Sequence, residues 1–527
     1  MIPCGSFSFD RRVLAHRQLV AKRHWGRLEH GSIVGERARN NDMKLNRLKI
    51  ANCSRVADID IAVRDNMVLI GPNGSGKTTV LLCLDMLLGM SDQQLRAALS
   101  REFIRDASRP LVVEAVLGSL NDDERAAFQG ALVGKRKNSV AVRLEVRASG
   151  GEGGKAGDNS NNNADITIKR SLPGSSAQAG PTEAQKAAFG WTFLQDQSTL
   201  GGNDPDGTPQ AADAVPTGDV WLKAREDVRM QHVSEHPSGI RSLFAMTICD
   251  VLQDGVDILA IDEPEVHLHP SSQRSLAKML KSHSGQRILV THSPTIAGSF
   301  EPDEIVVIRL DGTAVQPKEG FLSGDAGTLA RWWIGRQLEP LTAGAVIAVE
   351  GPSDRIIVSK AATALGFDLD RHDVVIVETS GCGDMKFVES IFGRGGFGIP
   401  LYELIDEDAA DDVAKRLGTG FADLQGRNIF VSAADLEDEY VHAIGAKVLW
   451  DRLKAAGTFS LNVFRRCRLE RDGYPTEASL AQFIREKSNR KIPCALAASE
   501  LITEANASGL KSISRLMDAV TSWASKR

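Results

Sequence analysis

A chain of 527 residues is too long for one ordinary core, and at roughly 150 residues per domain it reads as two to four units. Hydrophobic residues make up 42% and charged residues 25%, the balance of a globular protein rather than a fibrous or low-complexity one. A net charge of -5 excludes a uniformly basic nucleic-acid binder, yet leaves room for a local basic groove beside acidic sites.

Residues 1–42 are Arg-rich without an apolar segment and do not read as a secretory signal. They are expected to be an extension, disordered or foreign to the native frame. From Met43 the stretch KLNRLKIANCSRVADIDIAV opens the first strand region. Strand MVLI, a Gly-rich loop and helix TTVLLCLDMLL follow. Alternating residues in Val140–Ala148 and Asp165–Leu172 predict a hairpin pair, with a mobile Gly/Asn/Ser-rich insert at about 149–164 between them. A second loose segment is expected at about 198–219, then a helix from Ser238 to Leu252. Buried strands DILAID and RILVTHS flank a helix from Pro270.

A boundary is expected between Gly312 and Ala345. Beyond it AVIAVEG, DVVIVET and LYELIDED predict a small parallel sheet, and from Tyr440 the chain reads as mostly helical. Leu510, Ile513, Leu516, Val520 and Trp523 follow helical spacing and read as core. No apolar run reaches the ~18 residues needed to span a bilayer, so no membrane partner is expected. The seven cysteines (Cys4, Cys53, Cys83, Cys249, Cys382, Cys467, Cys494) are scattered, without a Cys-x-x-Cys pair. That argues for the reducing cytoplasm and against a disulfide frame or zinc ribbon.

The loop Gly71, Pro72, Asn73, Gly74, Ser75, Gly76, Lys77, Thr78, Thr79 fits G-x-x-x-x-G-K-[ST], between an apolar strand and a helix. Its backbone N–H groups would cradle the phosphates of ATP, Lys77 would reach the β- and γ-phosphates, and Thr78 would bind Mg²⁺. Asp262 ends a buried strand and is expected to orient that Mg²⁺. Glu263 is expected to polarise the attacking water, and His292, at the end of the next buried strand, to sense the γ-phosphate. Two solvated carboxylates at a strand end are the competing reading. His267 and His269 read as structural, because two histidines lack the further ligands a zinc site needs.

Downstream, Glu350 ends the strand AVIAVE and Asp354 lies in the first turn of the next helix. Asp406 and Asp408 close another strand. Their Asp-x-Asp spacing on an extended segment would place both carboxylates on one side. Carboxylates gathered at the C-terminal edge of a parallel sheet repel one another, and Mg²⁺ or Mn²⁺ would relieve that cost. An acidic turn and a solvated loop are the bland alternative.

DEPEVHLHP, with the loop above, resembles the SMC/RecF-like soluble branch of the ATP-binding-cassette superfamily. The resemblance implies heads that dimerise around ATP, with Ser238 and Gly239 of HPSGIRSLFAM completing the opposite site although the usual Leu-Ser-x-Gly form is altered. Arg241 lies in the same element. The family's Q-loop glutamine has no assigned position. The two acidic motifs in order, ~50 residues apart, resemble a Toprim domain, a metal-binding fold. SGCGDMKF resembles its Gly-rich loop, with Asp384 a weaker metal candidate.

ATPase followed by Toprim is the layout of the OLD (overcoming lysogenization defect) family of endonucleases, which includes the Gabija nuclease subunit. The expected class is α/β: an ABC-type P-loop ATPase domain over 43–335, a Toprim core with a Rossmann-like parallel sheet over 343–440, and a helical C-terminal part over 441–527. The resemblance adds Glu437, in SAADLEDEYVHAIG, as a further metal ligand. It also adds Lys491, in NRKIPCALAASELI, as a catalytic residue that stabilises charge at the scissile phosphate. The family has an acidic residue soon after that Lys-x-Pro step, where this chain has Cys494.

The implied protein is a divalent-metal-dependent DNA endonuclease in which two Mg²⁺ or Mn²⁺ ions, ~3.5–4 Å apart, clamp the scissile phosphate. A third ion accompanies ATP, which acts as a switch. Homodimerisation through the heads and a neighbouring helicase-like subunit are the expected partners. RNA fits the same metal chemistry. The alternative is an SMC/RecF-like DNA clamp with an idle Toprim domain. Topoisomerase chemistry needs a nucleophilic tyrosine, and none of Tyr402, Tyr440 and Tyr474 lies in a recognisable nucleophile context.

Overall fold

The computed structural model describes residues 43–148, 166–175, 180–195, 256–266, 268–282, 284–379 and 385–526. The extension 1–42, the insert at 149–164, the segment at 198–219 and the helix from Ser238 lie outside them. So do Ser238, Gly239, Arg241, His267 and Asp384.

β1 (Lys44–Ala51) and β2 (Ile59–Ala62) form the first antiparallel pair, and β3 (Met67–Ile70) runs into the Gly-rich loop and helix α1 (Lys77–Leu88). β4 (Leu111–Gly118), β5 (Leu132–Val133), β6 (Ser139–Ala148) and β7 (Ile166–Ser171) join β1 and β2 in an antiparallel sheet ordered β2-β1-β4-β6-β5, with β7 also on β6. The pairing of β6 with β7, Arg143 opposite Ser171 and Ala148 opposite Ile166, is the hairpin the alternation predicts.

β8 (Trp191–Gln195), β9 (Ile258–Asp262), helix α2 (Pro270–Ser282), β10 (Gln286–Val290), β11 (Ile305–Ile308) and β12 (Ala314–Val315) build the second sheet, ordered β12-β11-β3-β10-β9-β8. All its contacts are parallel except the β11–β12 edge. β3, β9, β10 and β11 are buried along their whole length, as strands covered on both faces must be. Gln286 is fully buried and stitches the two sheets together. Its side-chain oxygen accepts from Leu45 N–H (2.7 Å), and its amide donates to the carbonyls of Leu45 (3.0 Å) and Arg64 (2.9 Å).

The stretch expected as a boundary is ordered. It holds β12, helix α3 (Asp325–Ile334) and a short helix at Glu339–Thr342. The third sheet, ordered β14-β13-β15-β16, is parallel throughout and comprises β13 (Ala345–Val349), β14 (Val374–Glu378), β15 (Leu401–Ile405) and β16 (Ile429–Val431). β16 has only three residues, which is why its pattern is not legible in the sequence.

Helices α4 (Pro352–Ala364), α5 (Met385–Phe392), α6 (Glu407–Leu417), α7 (Leu436–Ile444), α8 (Ser488–Ser499) and α9 (Lys511–Ala524) cover this sheet with shorter helical pieces. β13 serves two cores through its period-2 alternation. Val346 and Ala348 join a cluster that continues through Trp333, Ile334 and Leu341 to Val68 and Ile70 of β3. Ala345, Ile347 and Val349 face a second cluster, shared with α4 and the C-terminal helices, that includes Leu510, Ile513, Leu516 and Val520. Packing is therefore continuous from the phosphate-loop sheet into the third sheet. No helix among the described residues is long and apolar enough to cross a membrane.

Candidate functional site

Two sites stand at the C-terminal ends of parallel strands, where an open α/β sheet leaves a crevice for ligands. The first forms around the loop after β3. Gly71 adopts φ +154° and a Cβ there would lie 2.1 Å from the carbonyl oxygen of Ile308, so only glycine lets the loop lie against the end of β11. Gly76 adopts φ +99° directly before α1, whose N-terminus then faces the loop interior, the usual setting for phosphate. The Lys77 ammonium donates to the carbonyls of Gly71 (3.0 Å) and Pro72 (2.8 Å). Burial lowers its pKa, opposed by the charges of Glu263, Asp262 and Glu265.

β10 lies between β3 and β9, yet Asp262 at the end of β9 still reaches the loop, because α1 packs across β10, β9 and β8. The Thr78 hydroxyl donates to Asp262 Oδ1 at 3.3 Å. Burial first, then repulsion from Glu263, raises Asp262 to a pKa of about 6. Glu263 adopts φ +48°, an uncommon backbone state for a non-glycine residue. Its carboxylate lies 3.6 Å from His292 Nε2. Burial and Lys77 lower the His292 pKa, which favours neutral imidazole.

Two residues were not anticipated. Gln195, the last residue of β8, is in register with Asp262 and donates from its amide to Asp262 Oδ2 at 3.3 Å. The signal was a polar amide at the end of the strand WTFLQ, which only the β8–β9 pairing makes meaningful. Glu265 accepts from the backbone N–H groups of His292 and Ser293 (3.0 Å to the latter) and so braces the loop that carries His292. His269 receives the Ser271 N–H at 3.3 Å, which gives it a local structural role at the start of α2.

The second site lies at the C-terminal edge of the third sheet. Glu350 follows β13, Asp406 follows β15, and the loop after β16 leads to Asp435 and Glu437 at the start of α7. Asp406 N–H donates to Glu350 Oε1 at 3.3 Å, and Leu436 N–H donates to Asp406 Oδ1 at 3.2 Å. Asp354, in the first turn of α4, accepts from Gly351 N–H at 2.9 Å and from the Ser353 hydroxyl at 3.2 Å. Burial first, then the charges of Glu350, Asp354, Asp435 and Glu437, raises Asp406 to about 8. Burial, Glu437 and Glu350 raise Asp354 to about 6.

Helix α8 packs against α4 and α7 and delivers Lys491, whose ammonium is 3.2 Å from Glu437 Oε1. Glu437 is 1% exposed, and neither of its carboxylate oxygens makes an aligned hydrogen bond. A carboxylate this deep needs a cation beside it. Cys494 is buried near the same group, its thiol pushed up to about 12 chiefly by burial. An acid at that position would add to the repulsion.

The expectation for Asp408 changes. The extended segment ends at Asp406, which has φ -78° and ψ 159° and precedes α6. Asp408 is exposed in the first turn of that helix, where acidic side chains suit the helix dipole, so the period-2 argument does not apply to it. Among the described residues no three His, Cys, Asp or Glu side chains close into a ready metal shell. The oxygen-only donor set, the raised pKa values of Asp406 and Asp354 and the buried Glu437 nonetheless match the chemistry of a hard divalent cation. Tyr440 is fully buried nearby, burial raises its pKa well above the usual phenol value, and its hydroxyl has no hydrogen-bond partner among the described residues. Those surroundings disfavour the phenolate a nucleophile would need.

Residues 67–298 match a family described as an AAA domain, putative AbiEii toxin, Type IV TA system. Residues 341–408 match the overcoming lysogenization defect protein-like TOPRIM domain. The chain is 24% identical over 439 residues to an OLD nuclease of Thermus scotoductus, covering 69% of this chain and 82% of that protein. It is 28% identical over 173 residues to the endonuclease GajA of Bacillus cereus, covering 31% and 30%. Among solved structures, the C-terminal region of the Burkholderia pseudomallei OLD protein matches at 20% identity and TM-score 0.28, over 34% of this chain and 98% of that one. The SMC head domain of Thermotoga maritima matches at 13% identity and TM-score 0.29, over 52% and 99%. The chain thus joins a segment that matches an AAA domain family to one that matches the OLD-like TOPRIM domain, and along most of its length it is similar to an OLD nuclease.

Proposed function

We propose that this chain is an ATP-binding and ATP-hydrolysing, divalent-metal-dependent DNA endonuclease that works in anti-phage defence or DNA processing. One observation carries the reading: Glu350, Asp354, Asp406 and Glu437, spread over 88 positions of sequence, gather at a single sheet edge, with Asp406 N–H 3.3 Å from Glu350 Oε1 and with burial and the charges of the other three raising the Asp406 pKa. These carboxylates would hold Mg²⁺ or Mn²⁺, with Asp408 joining from the open side. The cations would polarise the scissile phosphate and supply an activated water. Lys491 then stands against the charge that develops on the phosphate, held in place by Glu437.

In the ATPase site Lys77 would bind the β- and γ-phosphates, and Thr78, Asp262 and Gln195 would hold the accompanying Mg²⁺. Glu263 would orient the attacking water while neutral His292 reads the γ-phosphate. ATP serves as a switch, because phosphodiester hydrolysis is downhill without it. A homodimer through the ATPase heads, a cytoplasmic location and a helicase-like partner complete the proposal.

The test is nicking of a plasmid in Mg²⁺ or Mn²⁺. Asp406→Asn abolishes nicking and leaves ATP hydrolysis, whereas Lys77→Ala abolishes ATP hydrolysis. Nicking that persists undiminished in Asp406→Asn overturns the nuclease assignment. A clamp with an idle TOPRIM domain is the second reading, favoured by the lack of a ready three-ligand shell among the described residues. It predicts DNA binding without cleavage in either metal.

A further inference from the structure

We propose that a cavity beside Asp406 binds an unpaired nucleobase of the DNA strand entering the nuclease site, an inference that rests on the DNA-nuclease reading above. The cavity, about 280 Å³, runs along the edge strand β16. Phe421, Gln425, Glu407, Ser432 and, from α9, Lys511 and Arg515 are among the residues that line it. Glu407 is bonded in sequence to Asp406. The loop after Ser432 supplies the Leu436 N–H that Asp406 accepts.

Three features favour a base. Ser432 is 1% exposed and spends its N–H on the Ile405 carbonyl (3.0 Å), yet its hydroxyl has no hydrogen-bond partner among the described residues. A buried hydroxyl is costly until a ligand meets it. Phe421 is 51% exposed at the rim and offers a stacking face of the kind that holds unpaired bases without regard to sequence.

The cavity also carries two cationic side chains, Lys511 and Arg515, alongside the carboxylates of Glu407 and Glu439. The Glu407 carboxylate accepts Ala434 N–H (3.0 Å), and Glu439 accepts Ala433 N–H (3.0 Å) with the N–H and hydroxyl of Ser512 (3.0 and 2.8 Å). Lys511 and Arg515 pair with no carboxylate among the described residues, so Lys511 and the guanidinium donors that Arg515 does not spend on the Lys511 and Val431 carbonyls can meet the sugar–phosphate backbone. The volume sits near the ~300 Å³ lower end of small-ligand pockets, suited to one base and too small for a duplex. Addition of a protein strand to the edge of β16 is disfavoured, because Arg515 Nη2 already occupies the Val431 carbonyl at 3.3 Å.

The full chain is titrated, with Ca²⁺ as the divalent ion, against duplexes that carry 2-aminopurine either as a one-nucleotide bulge or fully paired. The bulged duplex is expected to bind about fivefold tighter or more, as one base–aromatic stack provides, with a change in 2-aminopurine fluorescence. Phe421→Ala removes the preference and the fluorescence change while affinity for the paired duplex holds. Ser432→Ala reduces the preference without unfolding the rim. Equal binding of both duplexes by the wild type, or an equal loss on both in Phe421→Ala, overturns the pocket. Neither readout needs cleavage, so an inactive nuclease site and an unused pocket give different results.

Discussion

Asp406 is held near a pKa of about 8 and Asp354 near about 6, both well above the ~3.9 of a free aspartate. Raised carboxylates make the folded state bind more protons than the unfolded one between those values, so stability falls as pH rises from about 4 to 8. In EDTA the melting temperature is therefore expected to drop across that window, and Asp406→Asn to flatten the slope. Mg²⁺ or Mn²⁺ added at pH 8 restores stability in the wild type more than in the variant, as scanning fluorimetry would show. A melting temperature independent of metal at pH 8 contradicts the carboxylate cluster. Gly71→Ala acts at the other site. Its Cβ would meet the Ile308 carbonyl, as overpacking that costs ~1–3 kcal/mol. ATP affinity is expected to fall about tenfold or more as the loop is displaced from α1, measured by titration with a fluorescent ATP analogue.

At the scale of elements, the joints are made by single polar side chains on buried strands. Gln286→Leu leaves the Leu45 N–H and the Leu45 and Arg64 carbonyls without their partner between the first two sheets. At ~1–3 kcal/mol per buried unsatisfied group, a loss of about 3 kcal/mol or more is expected in urea unfolding. The helical elements behave otherwise. Lys491 reaches Glu437 only because α8 packs on α4, and the intervening chain gives no hint of it. Strands with continuous apolar runs, such as β3, β9 and β13, were legible because burial on both faces leaves an unmistakable pattern. β16 was not, being three residues at a sheet edge.

Across the molecule, the two sites share a structural link. Ile308 touches the phosphate loop at Gly71, and the next residue, Arg309, donates from Nη2 to the carbonyls of Phe397 (3.3 Å) and Gly398 (2.9 Å). That segment runs directly into β15 and ends at Asp406. Arg309→Ala is expected to shrink the ratio of nicking rates with and without ATP while ATP hydrolysis and ATP-free nicking stay within about twofold, the small cost of a substitution at a half-buried residue outside both sites. An unchanged ratio would mean that coupling takes another route.

The phosphate loop, the buried strands and the acidic residues at their ends were written in the sequence, because local geometry alone demands glycine at positive φ, apolar runs inside a parallel sheet and polar groups where strands leave it. What only the tertiary structure decided was convergence. It paired Gln195 with Asp262, moved Asp408 from a strand onto a helix turn, and brought Glu437 and Lys491 beside Glu350 and Asp406. Such meetings depend on helix packing and strand order between distant segments, and no spacing along the chain encodes them.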